Sequence, residues 1–92
     1  MYFEWDPEKA KLNQKKHKVS FEEAITIFYD PLSATFEDPD HSVGEQRWIT
    51  IGFSLGGRLL IASHTDRGKS VRIISARVAT SRERKKHENQ TK

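Results

Sequence analysis

Eight residues in the second half of the chain are of types that bind phosphate, move a proton or stack on a flat ring: Arg47 and Trp48, then His64, Asp66, Arg67 and Lys69, then Arg72 and Arg77. They fall on stretches that read as consecutive strands, so a sheet could gather them. One metal-free reaction suits such a set, the attack of an RNA 2′-hydroxyl on the adjacent phosphate. That step needs a base for the hydroxyl, an acid for the leaving oxygen, and cations for the charge that builds on the phosphorane. Histidine titrates near neutrality and can take either role. Arginine supplies a permanent, forked positive charge, and an aromatic such as Trp48 can stack an unpaired base. Phosphate contact alone needs nothing beyond Arg and Lys. A basic module that binds an acidic protein partner or nucleic acid without cutting therefore fits the same residues.

Other chemistries drop out. The 92 residues include no cysteine, which removes disulfides, thiolate zinc sites and cysteine nucleophiles. The four histidines, His17, His41, His64 and His87, are scattered, with no pair at helical spacing that would hold a metal. There is no glycine-rich phosphate loop, and Gly56-Gly57 reads as a hairpin connection. No cofactor and no metal are expected. Each candidate also has a plainer role. His64 could be a structural histidine at a strand end and Trp48 a core residue. Arg72 and Arg77 could be outward strand residues or cross-strand partners of Asp66 and Glu45. Asn13 and His17, four apart on one helix face, read as a buried polar pair that fixes helix to strand.

The elements that must position these residues follow from period and punctuation. Residues 2–5 alternate as a short aromatic strand. Asp6 and Pro7 open a helix through Lys16 whose apolar stripe, Ala10 and Leu12, is thin. Ser20 and Glu23 form a capping-box pattern, with each expected to satisfy the other's free amide. Phe21, Ala24, Ile25 and Phe28 give an amphipathic stripe over 20–30, ended by Asp30-Pro31. The rest is mostly strand: a short one over 33–37, a polar loop over 38–42, then 46–54, 58–65 and 70–77. Short links at 55–57 and 66–69 predict an antiparallel meander. In the last strand Arg72, Ile74 and Ala76 alternate against Val71, Ile73, Ser75 and Arg77. A second capping box, Thr80 with Glu83, opens a final helix without an apolar stripe, which excludes it from the core.

Length and composition agree with a single domain over 1–92. Leu, Ile, Val and Phe make up 21 of 92 residues, enough for one modest core. No apolar run reaches ten residues, so neither a membrane helix nor a signal-peptide core is expected, and the expected compartment is the cytoplasm. The net charge of +3 is segregated. Residues 1–46 hold five lysines, no arginine and ten acids, a net −5, whereas residues 47–92 hold seven arginines, four lysines and three acids, a net +8. A basic half of this kind suits a polyanion or an acidic protein partner.

Several strings occur in a fixed order. Phe3-Glu4-Trp5-Asp6 comes first, then Asn13 with Lys16-His17, Val19 to Ala24, Asp30-Pro31 and Asp40-His41-Ser42. Glu45 with Arg47, Ile51-Gly52, Gly57 to Leu60, His64-Thr65 with Arg67, and the run Arg72 to Arg77 follow. In this combination the chain resembles the BrnT family, toxins of type II BrnT/BrnA toxin–antitoxin pairs, from residue 3 to about residue 88. The resemblance implies an α+β, RelE-like antiparallel sheet with two N-terminal helices on one face and a short C-terminal helix. It implies metal-independent ribonuclease activity that inhibits translation. It also implies a cognate ribbon-helix-helix antitoxin, through which operator DNA is contacted. Carried over by position, His64, Arg67, Arg72 and Arg77 form the catalytic or RNA-contact set, with Arg47, Trp48 and Lys69 as supporting RNA contacts. The chain departs from the family pattern at Lys18, where glycine is frequent, and at His87, where tyrosine is.

Overall fold

A computed structural model describes residues 1–41 and 44–90. Ser42, the last residue of the expected polar loop, lies outside the described residues. The elements run β1 (Tyr2–Glu4), α1 (Pro7–His17), α2 (Phe21–Ile25), a 3₁₀ turn (Thr26–Tyr29), β2 (Ala34–Glu37), a 3₁₀ turn (Pro39–His41), β3 (Arg47–Phe53), β4 (Leu59–Arg67), β5 (Ser70–Val78) and α3 (Ser81–Gln90). The five strands form one sheet in the order β1-β5-β4-β3-β2. Strands β2 to β5 make the expected antiparallel meander. The sheet as a whole is mixed, because β1 joins its edge parallel to β5. The chain between β1 and β5 is long enough for the crossover that a parallel pair requires.

Helices α1 and α2 and the following turn cover one face. Val19, Phe21, Ala24 and Ile27 from that layer meet Leu60, Ala62, Ile73 and Ala76 from the sheet. Trp5 packs edge-on against Phe21 at 5.9 Å and Phe3 against Phe28 at 5.1 Å. The second helix is shorter than its stripe suggests. It tightens to 3₁₀ geometry after Ile25, which advances the phase per residue. Ile27, off the α-helical stripe, becomes fully buried while Phe28 is only half-buried. At the edge of this layer Gly52 comes so close to Ser33 and the carbonyl of Ile27 that a Cβ there would lie 2.9 Å and 3.0 Å from them.

The helical layer is joined to the sheet by polar bonds as well as by apolar packing. Asn13, buried on α1, donates from Nδ2 to the carbonyls of Val19 (3.0 Å) and Ala76 (2.8 Å), and its Oδ1 accepts from the Ala76 amide (3.1 Å). This is the helix-to-strand anchor expected of it. His17, one turn on, takes no part in these three bonds. Lys18 ends α1 in the left-handed region at φ 58°, ψ 34°, and its amide closes on the carbonyl of Gln14. A non-glycine residue in that conformation costs about 1 kcal/mol.

The first capping box is half-formed. The Ser20 hydroxyl accepts from the Glu23 amide (3.0 Å). The Glu23 carboxylate turns instead to the sheet, where it accepts from Ser54 Oγ (2.6 Å) and pairs with the Arg58 guanidinium. That pairing holds the Glu23 carboxyl below its ordinary range. A charged donor outcompetes a local amide here. The second box is complete: the Glu83 amide donates to Thr80 Oγ1 (3.2 Å) and the Thr80 amide to Glu83 Oε1 (2.9 Å).

On the other sheet face Ile51, Leu59 and Ile61 form a smaller buried apolar cluster at one end, with Ala34, Ile49 and Ala79 packed against it. Helix α3 reaches this side, with Arg84 stacked 5.8 Å over the ring of Phe53 and His87 buried. A helix without an apolar stripe therefore does contribute one buried residue, a histidine. No helix among the described residues is long and apolar enough to cross a membrane.

Candidate functional site

The positions of the candidate residues are decided by one irregularity. Along β4 and β5, Ala62 pairs with Ala76 and Ser63 with Ser75, but His64 pairs with Ile73. Strand β5 thus carries an extra residue, Ile74, which is a β-bulge. Strict alternation would put Arg72 and Arg77 on opposite faces. The bulge shifts the phase by one, so Ile73 joins Ala76 in the helix-side core and Arg72 joins Arg77 on the other face. A periodicity argument that assumes an unbroken strand misplaces one arginine.

On that open face, cross-strand pairing sets Arg47 and Arg72 on either side of Thr65, and Arg67 lies two residues further along β4. Thr65 is buried, and its hydroxyl has no hydrogen-bond partner among the described residues. The sequence marks Thr65 only as part of the His64-Thr65 string, because its position between two arginines is one that only the strand register reveals. Cross-strand pairing also places Glu4 beside Arg72, with the carboxylate 3.9 Å from the guanidinium. The expected partnerships with Asp66 and Glu45 are replaced by others. Glu45 pairs with Arg67 through two contacts of 2.9 and 3.1 Å.

Arg77 is tied differently. Its guanidinium grips the Glu83 carboxylate at 2.8 and 2.9 Å. This pairing and the Thr80 amide hold the Glu83 carboxyl down at about 2. Because Glu83 also caps α3, Arg77 serves to hold the last helix to the sheet. Arg72, by contrast, has among the described residues a single long ion pair, with Glu4 on the same face.

His64 is not with these arginines. It alternates with Thr65 and so faces the helical side, where its ring meets that of Phe28 edge-on at 5.0 Å. It is only 6% exposed. Its Nε2 is 2.8 Å from Thr50 Oγ1, which is itself 2.7 Å from the hydroxyl of Thr35. Its Nδ1 has no partner among the described residues. Trp48, which pairs with His64 across β3 and β4, is on the same side. Together with Thr35, Asp66 and Val71 these two line a pocket of about 270 Å³. Lys69 is exposed in the tight turn between β4 and β5, where Gly68 adopts φ 73°. Apart from Arg77, which lies opposite Ile61 nearer the other end of the sheet, the residues expected to form one cluster therefore form two groups on opposite faces at the same end.

Burial holds the His64 imidazole down at about 4, against 6.5 for a free histidine, with Asp66 opposing the shift. The ring is neutral at pH 7. The unfolded chain takes up this proton near pH 6.5 and the folded chain only near pH 4. The stabilisation is therefore complete above pH 6.5 and declines as the pH falls to 4, by about 3 kcal/mol in all. Thermal melting followed from pH 7 to pH 4.5 should show a steady fall in midpoint, and His64→Gln should flatten that slope. Glu83 contributes in a lower window, between its ordinary 4.5 and about 2, so the two effects separate.

A mixed five-stranded sheet covered by helices on one face, with arginines on the other, defines a small α+β protein. A family model described as "Ribonuclease toxin, BrnT, of type II toxin-antitoxin system" matches residues 5–83. The chain belongs to this family of ribonuclease toxins, and membership implies an RNA substrate and a cognate antitoxin. The fold is similar to that of the Brucella abortus ribonuclease toxin BrnT, whose crystal structure is known at 1.1 Å resolution. The TM-score is 0.65 at 21% sequence identity, covering 88% of this chain and 99% of that one. No curated protein matches the sequence.

Proposed function

We propose that the chain is a metal-independent endoribonuclease of the cytoplasm that inhibits translation by cutting RNA on the open face of its sheet. The observation that carries this reading is the bulge at Ile74, which brings Arg72 onto the face that holds Arg47 and Arg67. Arg72 and Arg47, flanking Thr65, bind the scissile phosphate and stabilise the charge that develops as the 2′-hydroxyl attacks and the 5′-oxygen leaves. Glu4 stands beside Arg72 without the two-pronged pairing that occupies Glu45 and Glu83. It accepts the 2′-hydroxyl proton as the 2′-oxygen bonds to phosphorus, and the departing 5′-oxygen takes its proton from solvent water. Arg67 and Lys69 extend the backbone contact toward the β4–β5 turn. Arg77 positions α3 through Glu83. His64, neutral and on the other face, is not the base. A ribbon-helix-helix antitoxin neutralises the toxin and carries the pair to operator DNA.

The test is the purified protein on free RNA in EDTA, with analysis of the product ends. Products ending in 2′,3′-cyclic phosphate or 3′-phosphate support the reading. Intact RNA bound with a steep salt dependence would instead identify a module that holds RNA without cutting it.

A further inference from the structure

The pocket on the helical side contains a set of groups that the phosphate chemistry does not use. Trp48 offers a half-buried aromatic wall, Val71 an apolar one, Thr35 a hydroxyl and Asp66 a carboxylate, with His64 at the back. Asp66 and Arg67 are neighbours in sequence and point to opposite faces, so the chain that presents the backbone-binding arginine also presents the pocket's carboxylate. The arrangement has the parts of a base-recognition site: a stacking surface, an edge reader, and a cationic turn beside it at Arg67 and Lys69.

We infer that this pocket takes one base of the RNA substrate, and that Asp66 makes that base guanine. The inference rests on the proposed action on RNA. A carboxylate only accepts hydrogen bonds. Guanine presents two adjacent donors on its Watson–Crick edge, N1–H and the N2 amino group, which match the two carboxylate oxygens. Adenine and cytosine present one donor beside a ring nitrogen that accepts, and uracil presents one donor between two carbonyls. Each of these sets an acceptor against Asp66. Among the described residues no lysine or arginine lines the pocket, and burial keeps His64 neutral, so no cation there competes with the base for the carboxylate. A two-pronged pairing of this kind discriminates by about tenfold or more.

The experiment uses the full chain and 2′-O-methyl pentanucleotides of uridine with a single central G, A, C or U, which bind but cannot be cleaved. Binding is followed by tryptophan fluorescence. The G pentamer should bind about tenfold more tightly than the others, and it should quench fluorescence in the parent but not in Trp48→Phe. Asp66→Asn should bring the four affinities to within about twofold of one another. Equal affinity of the parent for all four, or a guanine preference that survives Asp66→Asn, would overturn the inference. RNA cleavage is read in parallel. Cleavage without base preference refutes the pocket assignment alone, and guanine preference without cleavage refutes the ribonuclease reading while the pocket stands.

Discussion

Replacing Arg72 by alanine is expected to slow RNA cleavage by about 10²- to 10³-fold, the usual cost of removing one preorganised donor from a developing oxyanion. The fold should be spared. The ion pair of Arg72 is a single 3.9 Å contact with a half-exposed Glu4, and exposed pairs of this kind contribute about 0–1 kcal/mol. The melting temperature should therefore move by no more than a few degrees. Arg72→Lys keeps the charge but not the fork, and should recover only part of the rate. Arg77→Ala gives the contrasting result. It frees the Glu83 carboxylate, loosens the start of α3, and lowers stability together with activity. Cleavage at the parent rate by Arg72→Ala would show that the phosphate is held elsewhere.

The sequence exposes the order of elements, the strand residues of the meander and the basic second half, because each depends on local period, turn residues or charge. It does not expose the face on which Arg72 lies. One extra residue inside an alternating run reverses the phase of everything before it, and no turn residue announces the bulge at Ile74. The partners of the charged residues were equally hidden. Glu23 matches a capping box but pairs with Arg58, and Glu45 pairs with Arg67 rather than with a β5 arginine. These are choices among competing donors that only three-dimensional proximity decides. The amphipathic stripe over 20–30 identified the helical layer. It missed Ile27, since the change to 3₁₀ winding is set by packing against the sheet.

Asn13→Ala is expected to produce the largest loss of stability. Asparagine at this position satisfies three backbone groups, the carbonyls of Val19 and Ala76 and the amide of Ala76. Alanine would leave all three buried and unpaired, at about 1–3 kcal/mol each, or about 3–5 kcal/mol after partial relaxation. A domain of this length has only about 5–14 kcal/mol to lose. Urea denaturation should show a midpoint shifted strongly downward, with the slope unchanged if unfolding stays two-state. His17→Ala, on the same helix face, should shift it by less than about 1 kcal/mol. Comparable shifts for the two variants would mean that Asn13 is not the anchor.

The parallel pairing of β1 with β5 bears on the order in which the chain is made. Residue 2 has no strand partner until residue 70 exists, and Asn13 has no sheet partner until Ala76 exists. Pairings so distant in sequence slow folding, because the connecting chain must be closed before any contact repays it. Glu4 and Arg72 come together in this same closure. During synthesis, then, the nascent chain carries the parts of its proposed active face but cannot assemble them until nearly the last strand has been translated.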